Sequence, residues 1–123
     1  MIYLLDTHVI IWMLYDSNKI PENIKQIMIK ERCCISVSSL WELAIKSSLG
    51  KIHLKQSIKE ISGICIEFGV GIIGIEEGDC EIVTELPWFH RDPFDRMLIA
   101  QTKARGLTLI SADDNIHKNN MQL

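Results

Sequence analysis

The chain has 123 residues, 47% of them apolar and 24% charged, with a formal net charge of -3. That length holds one domain and leaves no room for a second. The acidic balance excludes a protein that coats nucleic acid by bulk electrostatics, and no uncharged apolar run approaches the roughly 18 residues of a membrane span.

Ile2 to Leu5 is a short apolar run that ends at Asp6, which predicts a strand followed by a helix carrying Val9, Ile10, Trp12, Met13 and Leu14. No basic segment precedes that run and an acid interrupts it, so a secretory signal is not expected and the cytoplasm is the default location. Ile20, Pro21 and Glu22 open a second helix whose stripe is Ile24, Ile27 and Met28, fading near Arg32. Cys33 to Val37 reads as a buried strand, and Ser38 and Ser39 as the start of a helix that runs to Leu49 and stops at Gly50. Ser57 to Phe68 is a helix ended by Gly69, and Val70 to Ile75 a third strand. Glu76 to Leu86 is a helix broken by Pro87, Phe94 to Arg105 a helix closed by Gly106, and Leu107 to Ser111 a fourth strand. Short strands separated by helices indicate parallel β-α-β units, so the class is α/β.

Cys33, Cys34, Cys65 and Cys80 form no Cys-x-x-Cys pair, and no zinc spacing links them to histidines. Adjacent Cys33 and Cys34 on a strand point to opposite faces, which suits packing and not joint ligation.

An acid stands where each of three strands gives way to a helix, at Asp6, Glu42 and Asp95, and Asp113 follows the last strand. Each has a local explanation. Asp6 suits an N-cap, Ser39 and Glu42 fit the S-x-x-E capping box, and Asp92-Pro93 reads as a cap and N1 proline that place Asp95 in a dipole-favoured first turn. Asp95 also heads a stripe of Leu98, Ile99 and Thr102. Parallel strands, however, bring their carboxyl ends to one edge, so acids remote in sequence converge there. Carboxylates gathered within several ångströms repel one another unless a cation compensates. Hard oxygen donors of this kind suit Mg²⁺, or Mn²⁺ as a substitute, with one or two carboxylates, waters and a substrate phosphate around the ion.

The blocks LLDTH ending at His8, SLWELAIK from Ser39 to Lys46, LGKI from Leu49 to Ile52, HRDPFDRMLIAQ from His90 to Gln101 and LISAD ending at Asp113 occur in this order. Together they resemble a PIN-domain ribonuclease, the VapC-type toxin of a type II toxin-antitoxin system, over about residues 2 to 114. The resemblance implies a single PIN domain over 1–123, a three-layer α/β/α sandwich with a central parallel sheet of four to five strands, and Mg²⁺- or Mn²⁺-dependent endoribonuclease activity. It places Asp6, Glu42 and Asp95 on the family's metal-binding acids and Asp113 on its frequent fourth, with no match for Asp114. It further implies an RNA substrate, a homodimer and a small antitoxin whose C-terminal segment wraps the toxin and can set a basic side chain at the acidic site. Residues 114–123 are shorter and more polar than the final strand usual in such proteins.

On this reading Asp6 and Asp95 contact the ion most directly, while Glu42 and Asp113 act through water or hold a second ion. Hydrolysis leaves a 5′-phosphate and a 3′-hydroxyl. Thr7 and Ser38 are candidates to hydrogen-bond the metal waters, with capping as their alternative. Arg91 and Arg96, with Lys46 and Lys51, are candidates for RNA phosphates, although Asp92 and Arg96 at i, i+4 also fit a surface ion pair. Trp88 and Phe89 could stack on bases, whereas Trp12 and Trp41 at helical spacing read as core. The alternatives are a non-catalytic binding module with the same fold and a phosphoryl-handling Mg²⁺ enzyme. The second is disfavoured because His8 stands where an Asp-x-Asp site needs its second acid, and position 113 offers an acid where a receiver needs lysine.

Overall fold

The computed structural model describes residues 1–87 and 92–111. Within it, four strands, β1 (Ile2–Leu5), β2 (Arg32–Ser36), β3 (Val70–Ile73) and β4 (Thr108–Ile110), form one parallel sheet in the order β3-β2-β1-β4. The helices are α1 (Thr7–Tyr15), α2 (Glu22–Lys30), α3 (Val37–Ser48), α4 (Ile58–Glu67), α5 (Glu77–Glu85) and α6 (Pro93–Arg105), with a single 3-10 turn at Ser17–Lys19. This is the expected α/β arrangement. The sheet has the smaller of the two expected strand numbers among the described residues, and the polar segment after Asp113 lies outside them.

The strands are continuously apolar because both faces of the sheet are covered. Leu5, Ile35, Val70 and Ile110 pack beneath α1 to α4 with Val9, Ile10, Ile24, Leu43 and Ile61, whereas Leu4, Cys34 and Leu109 pack on the other face beneath α5 and α6 with Leu98, Ile99 and Ala100. Cys33 and Cys34 thus serve opposite cores, as strand alternation requires. Burial, with the charges of Cys34 and Glu31 adding, pushes the Cys33 thiol up to about 11, which suits a packing role.

Local signals set most boundaries. Ser57 accepts the Glu60 amide at 3.1 Å while Glu60 takes the Ser57 amide at 3.0 Å, a reciprocal cap that starts α4. Asp92 caps α6, accepting the amides of Phe94 at 2.8 Å and Asp95 at 3.2 Å, and Gly106 ends that helix at a φ of 65° that favours glycine. Two boundaries differ from expectation. Pro21 is the N-cap of α2 and not its first helical residue. The chain turns into α3 directly from β2, with Ser36 as the cap accepting the Ser38 amide at 3.0 Å, so the helix begins before Ser38 and Ser39.

Candidate active site at the carboxyl edge of the sheet

Strand register places the first acid. Leu5 pairs with Ile110, and the Asp6 amide continues the ladder by donating to the Ile110 carbonyl at 3.0 Å. Asp6 therefore leaves the centre of the sheet between β2 and β4. Its Oδ1 accepts the Val9 amide at 3.0 Å, so it caps α1 as the sequence suggested. A cap uses one carboxylate oxygen. Among the described residues Oδ2 accepts no hydrogen bond, although Asp6 is only 4% exposed.

Glu42 does something its sequence context did not predict. With Ser36 as the cap, Ser39 lies inside α3 and the capping box of Ser39 and Glu42 does not form. Glu42 is buried, accepting the Thr7 hydroxyl through Oε1 at 2.6 Å and pairing with Lys46 Nζ through Oε2 at 2.7 Å. Thr7 and Ser39 hydroxyls lie 3.0 Å apart. Since Thr7 has one proton and gives it to Glu42, Ser39 supplies the proton between the two hydroxyls. The residue after Asp6 is thereby tied to the centre of α3.

Lys46 links this pair to the third acid. Its ammonium is held above its ordinary range first by the hydrogen bond to Glu42, against the cost of burial, and then by the charges of Glu42, Asp92 and Asp95. Asp95 occupies the first turn of α6, half-buried, above Leu98, Ile99 and Thr102, which are buried as the stripe predicted. The N-termini of α3 and α6 also meet through Trp41 and Phe94, whose rings are 5.1 Å apart and near-perpendicular. Asp113, Asp114, Arg91, Trp88, Phe89 and His90 lie outside the described residues.

Among the described residues, no three Asp, Glu, His or Cys side chains stand together as a group able to enclose a metal ion. The donor set still fits Mg²⁺, an ion that keeps several waters and takes one or two carboxylates. Asp6 has an oxygen beyond its cap, whereas both oxygens of Glu42 already have partners from the chain.

Two assignments are corrected by the packing. Arg96 does not lie on the surface beside Asp92 or reach outward for phosphate. It is buried, and its guanidinium donates to the carbonyls of Pro87 at 2.9 Å, Val83 at 2.8 Å and Leu86 at 3.4 Å, satisfying the end of α5. Trp41 is not core but 57% exposed, while Trp12 packs half-buried against the larger cluster. Ser38 is buried, and Thr7 is engaged with Glu42.

A polar network missed in the sequence holds α6 in place. Asp79 Oδ2 accepts the Glu76 amide at 2.9 Å, Arg105 at 2.8 Å and Gln101 at 3.3 Å, and the same Arg105 and Gln101 side chains also donate to the Gly74 carbonyl. The acid at the third helical position after Glu76 was its one local signal. Burial alone would raise the Asp79 carboxyl, but the hydrogen bonds of Arg105, Glu76 and Gln101 outweigh it and hold it below the usual carboxylate range. The folded value is then under the unfolded one of about 4, so this stabilisation is present above that pH and is lost as pH falls through the folded value. Asp79→Asn is expected to flatten the fall in Tm on acidification below about pH 5, read from thermal melts across the range. An unchanged slope would show that other carboxylates dominate acid unfolding.

A parallel sheet with helices on both faces and Asp6 at its carboxyl edge defines an α/β protein whose candidate site lies at that edge. The PIN domain family model matches residues 3–120, and the chain belongs to that family. Its fold is similar to that of VapBC2 from Rickettsia felis, solved bound to a DNA fragment from its promoter, with a TM-score of 0.71 and 18% identity over 96% of this chain and 92% of that one. It is likewise similar to VapBC-1 from nontypeable Haemophilus influenzae, with a TM-score of 0.70 and 22% identity over 99% of this chain and 96% of that one. No curated protein sequence matches the chain.

Proposed function

We propose that this chain, as a single PIN domain over 1–123, is a metal-dependent endoribonuclease and the toxin of a toxin-antitoxin pair. The observation that carries the reading is Asp6 at the centre of the carboxyl edge, with Glu42 bound to its neighbour Thr7 and Asp95 in the first turn of α6, which meets α3 through Phe94 and Trp41. Membership in the PIN domain family supports a nuclease, and the likeness to two VapBC structures supports the toxin assignment and a small antitoxin as partner. A homodimer and a cytoplasmic location complete the proposal. Among the described residues no helix is long and apolar enough to cross a membrane.

Asp6 and Asp95 would hold Mg²⁺ or Mn²⁺ directly, with Glu42 and Asp113 acting through water. When bound, the ion supplies an activated water and offsets charge on the phosphoryl oxygens. Asp6 is aimed by its cap to Val9, and Glu42 is fixed in direction by Lys46 and Thr7. Such preorganisation means that little rearrangement accompanies the reaction.

Protein stripped with EDTA and incubated with structured RNAs is expected to cut only after Mg²⁺ or Mn²⁺ is restored, giving 5′-phosphate ends. Cleavage without added metal would sink the mechanism. The pairing of both Glu42 oxygens within the chain also suits a non-catalytic binding module, and RNA left intact under every metal condition would favour it.

A further inference from the structure

Trp41 is the largest side chain exposed on α3, yet it immediately precedes buried Glu42. Phe94, which meets it edge to face, immediately precedes Asp95 on α6. The aromatic pair therefore spans the same two helix starts as the candidate acids. Beside it lies an open cavity of about 360 Å³, lined by Trp41, Ile75, Val83, Pro93 and Met97 together with Ser38 and Arg96, and Val37 and Ile75 are also exposed at 43% and 40%. Nothing in the metal site uses these apolar groups.

We propose that Trp41, braced by Phe94, is a stacking platform for an RNA base next to the scissile phosphate. The proposal rests on the nuclease reading. An edge-to-face contact engages at most one face of the indole, and Trp41 keeps more than half its surface open to solvent. Trp41 and Phe94 each stand one residue before an acid of the candidate site, and their contact joins the two helices that carry Glu42 and Asp95, so a strand bound at those acids would pass this pair. Unstacked bases are commonly held on aromatic side chains, and such stacking tolerates any base because every base has a π-face. Phe94 limits the rotamers of Trp41, so less freedom is lost when a base arrives. The acids nearby disfavour a bare anionic ligand on this patch, whereas the base is neutral.

The test uses the full chain carrying Asp6→Asn, which prevents cleavage, with a fluorescent ten-nucleotide oligouridylate and an abasic ribose-phosphate strand of the same length in Mg²⁺ buffer. Trp41→Ala is expected to weaken oligouridylate binding about tenfold and to leave abasic binding unchanged, with Trp41→Phe recovering most of the loss. Circular dichroism and Tm should match the Asp6→Asn parent, because Trp41 is exposed. Equal loss on both strands, or no loss on either, overturns the platform while leaving the nuclease intact. So does a sedimentation result in which Trp41→Ala splits a dimer and the diluted, monomeric parent binds RNA as tightly as before, since the patch would then be a contact between copies. Failure of the Asp6→Asn parent to bind the oligouridylate overturns the platform, whereas the assignment of RNA as substrate falls only if the unaltered chain also leaves RNA intact under every metal condition.

Discussion

Asp6→Asn is expected to lower RNA cleavage by roughly a hundredfold or more while leaving the fold intact, the scale on which removing a charged group that orients a metal or transition state acts. The separation of the two effects follows from the geometry. Asp6 Oδ1 caps α1 through the Val9 amide, and asparagine is as good a cap as aspartate. The carboxamide keeps that bond and loses only the favourable charge at the helix start, about 0.3 to 1 kcal/mol, partly offset by relief of repulsion from nearby acids. Asp95→Asn should behave similarly, because Asp92 and not Asp95 caps α6. Initial rates on a fixed RNA, measured beside Tm, separate the outcomes. Either variant cutting at the parental rate would remove that residue from the site, and a large fall in Tm would make its role architectural.

Arg96→Met is expected to destabilise the fold by about 3 kcal/mol, enough to lower Tm by roughly 10 °C. The guanidinium is buried and supplies donors to the carbonyls of Val83, Leu86 and Pro87. Methionine fills much of the volume but donates nothing, so the carbonyls of Pro87 and Leu86 lose this donor at the junction of α5 and α6 and that of Val83 keeps only the Leu86 amide at 3.3 Å. Because the same helix carries Asp95, activity should fall with the folded fraction and recover on cooling. A variant that melts with the parent and loses only RNA affinity would restore Arg96 to the phosphate-binding role that its sequence position suggested. Urea unfolding read by tryptophan fluorescence checks the first outcome, and RNA affinity below the melting range checks the second.

The difference between Arg96 and Asp95 shows where sequence reasoning stops. Both lie in the first turn after Asp92-Pro93, and the cap and proline locate that turn because the relevant contacts reach no farther than Asp95. Which first-turn residue faces outward depends on α5, whose end lies across the loop. The i, i+4 spacing of Asp92 and Arg96 suggested a surface pair, but three carbonyls at the end of α5 are stronger claimants on a buried guanidinium. Glu42 shows the same limit from the other side. S-x-x-E predicted a local partner, and the true one, Thr7, is 35 residues away.

Sequence alone determined the order of strands and helices, the opposite faces taken by Cys33 and Cys34, the cap at Asp92, and the place of Asp6 at the end of the first strand. All of these depend on periodicity or on contacts within a few residues. Tertiary structure decided that Glu42 is bound by Thr7 and Lys46, that Arg96 turns inward, and that Trp41 remains in solvent. The physical reason is that a polar or aromatic side chain takes the best partner within reach. That partner is set by which helix packs beside it, and parallel strands bring together helices that are far apart in the chain.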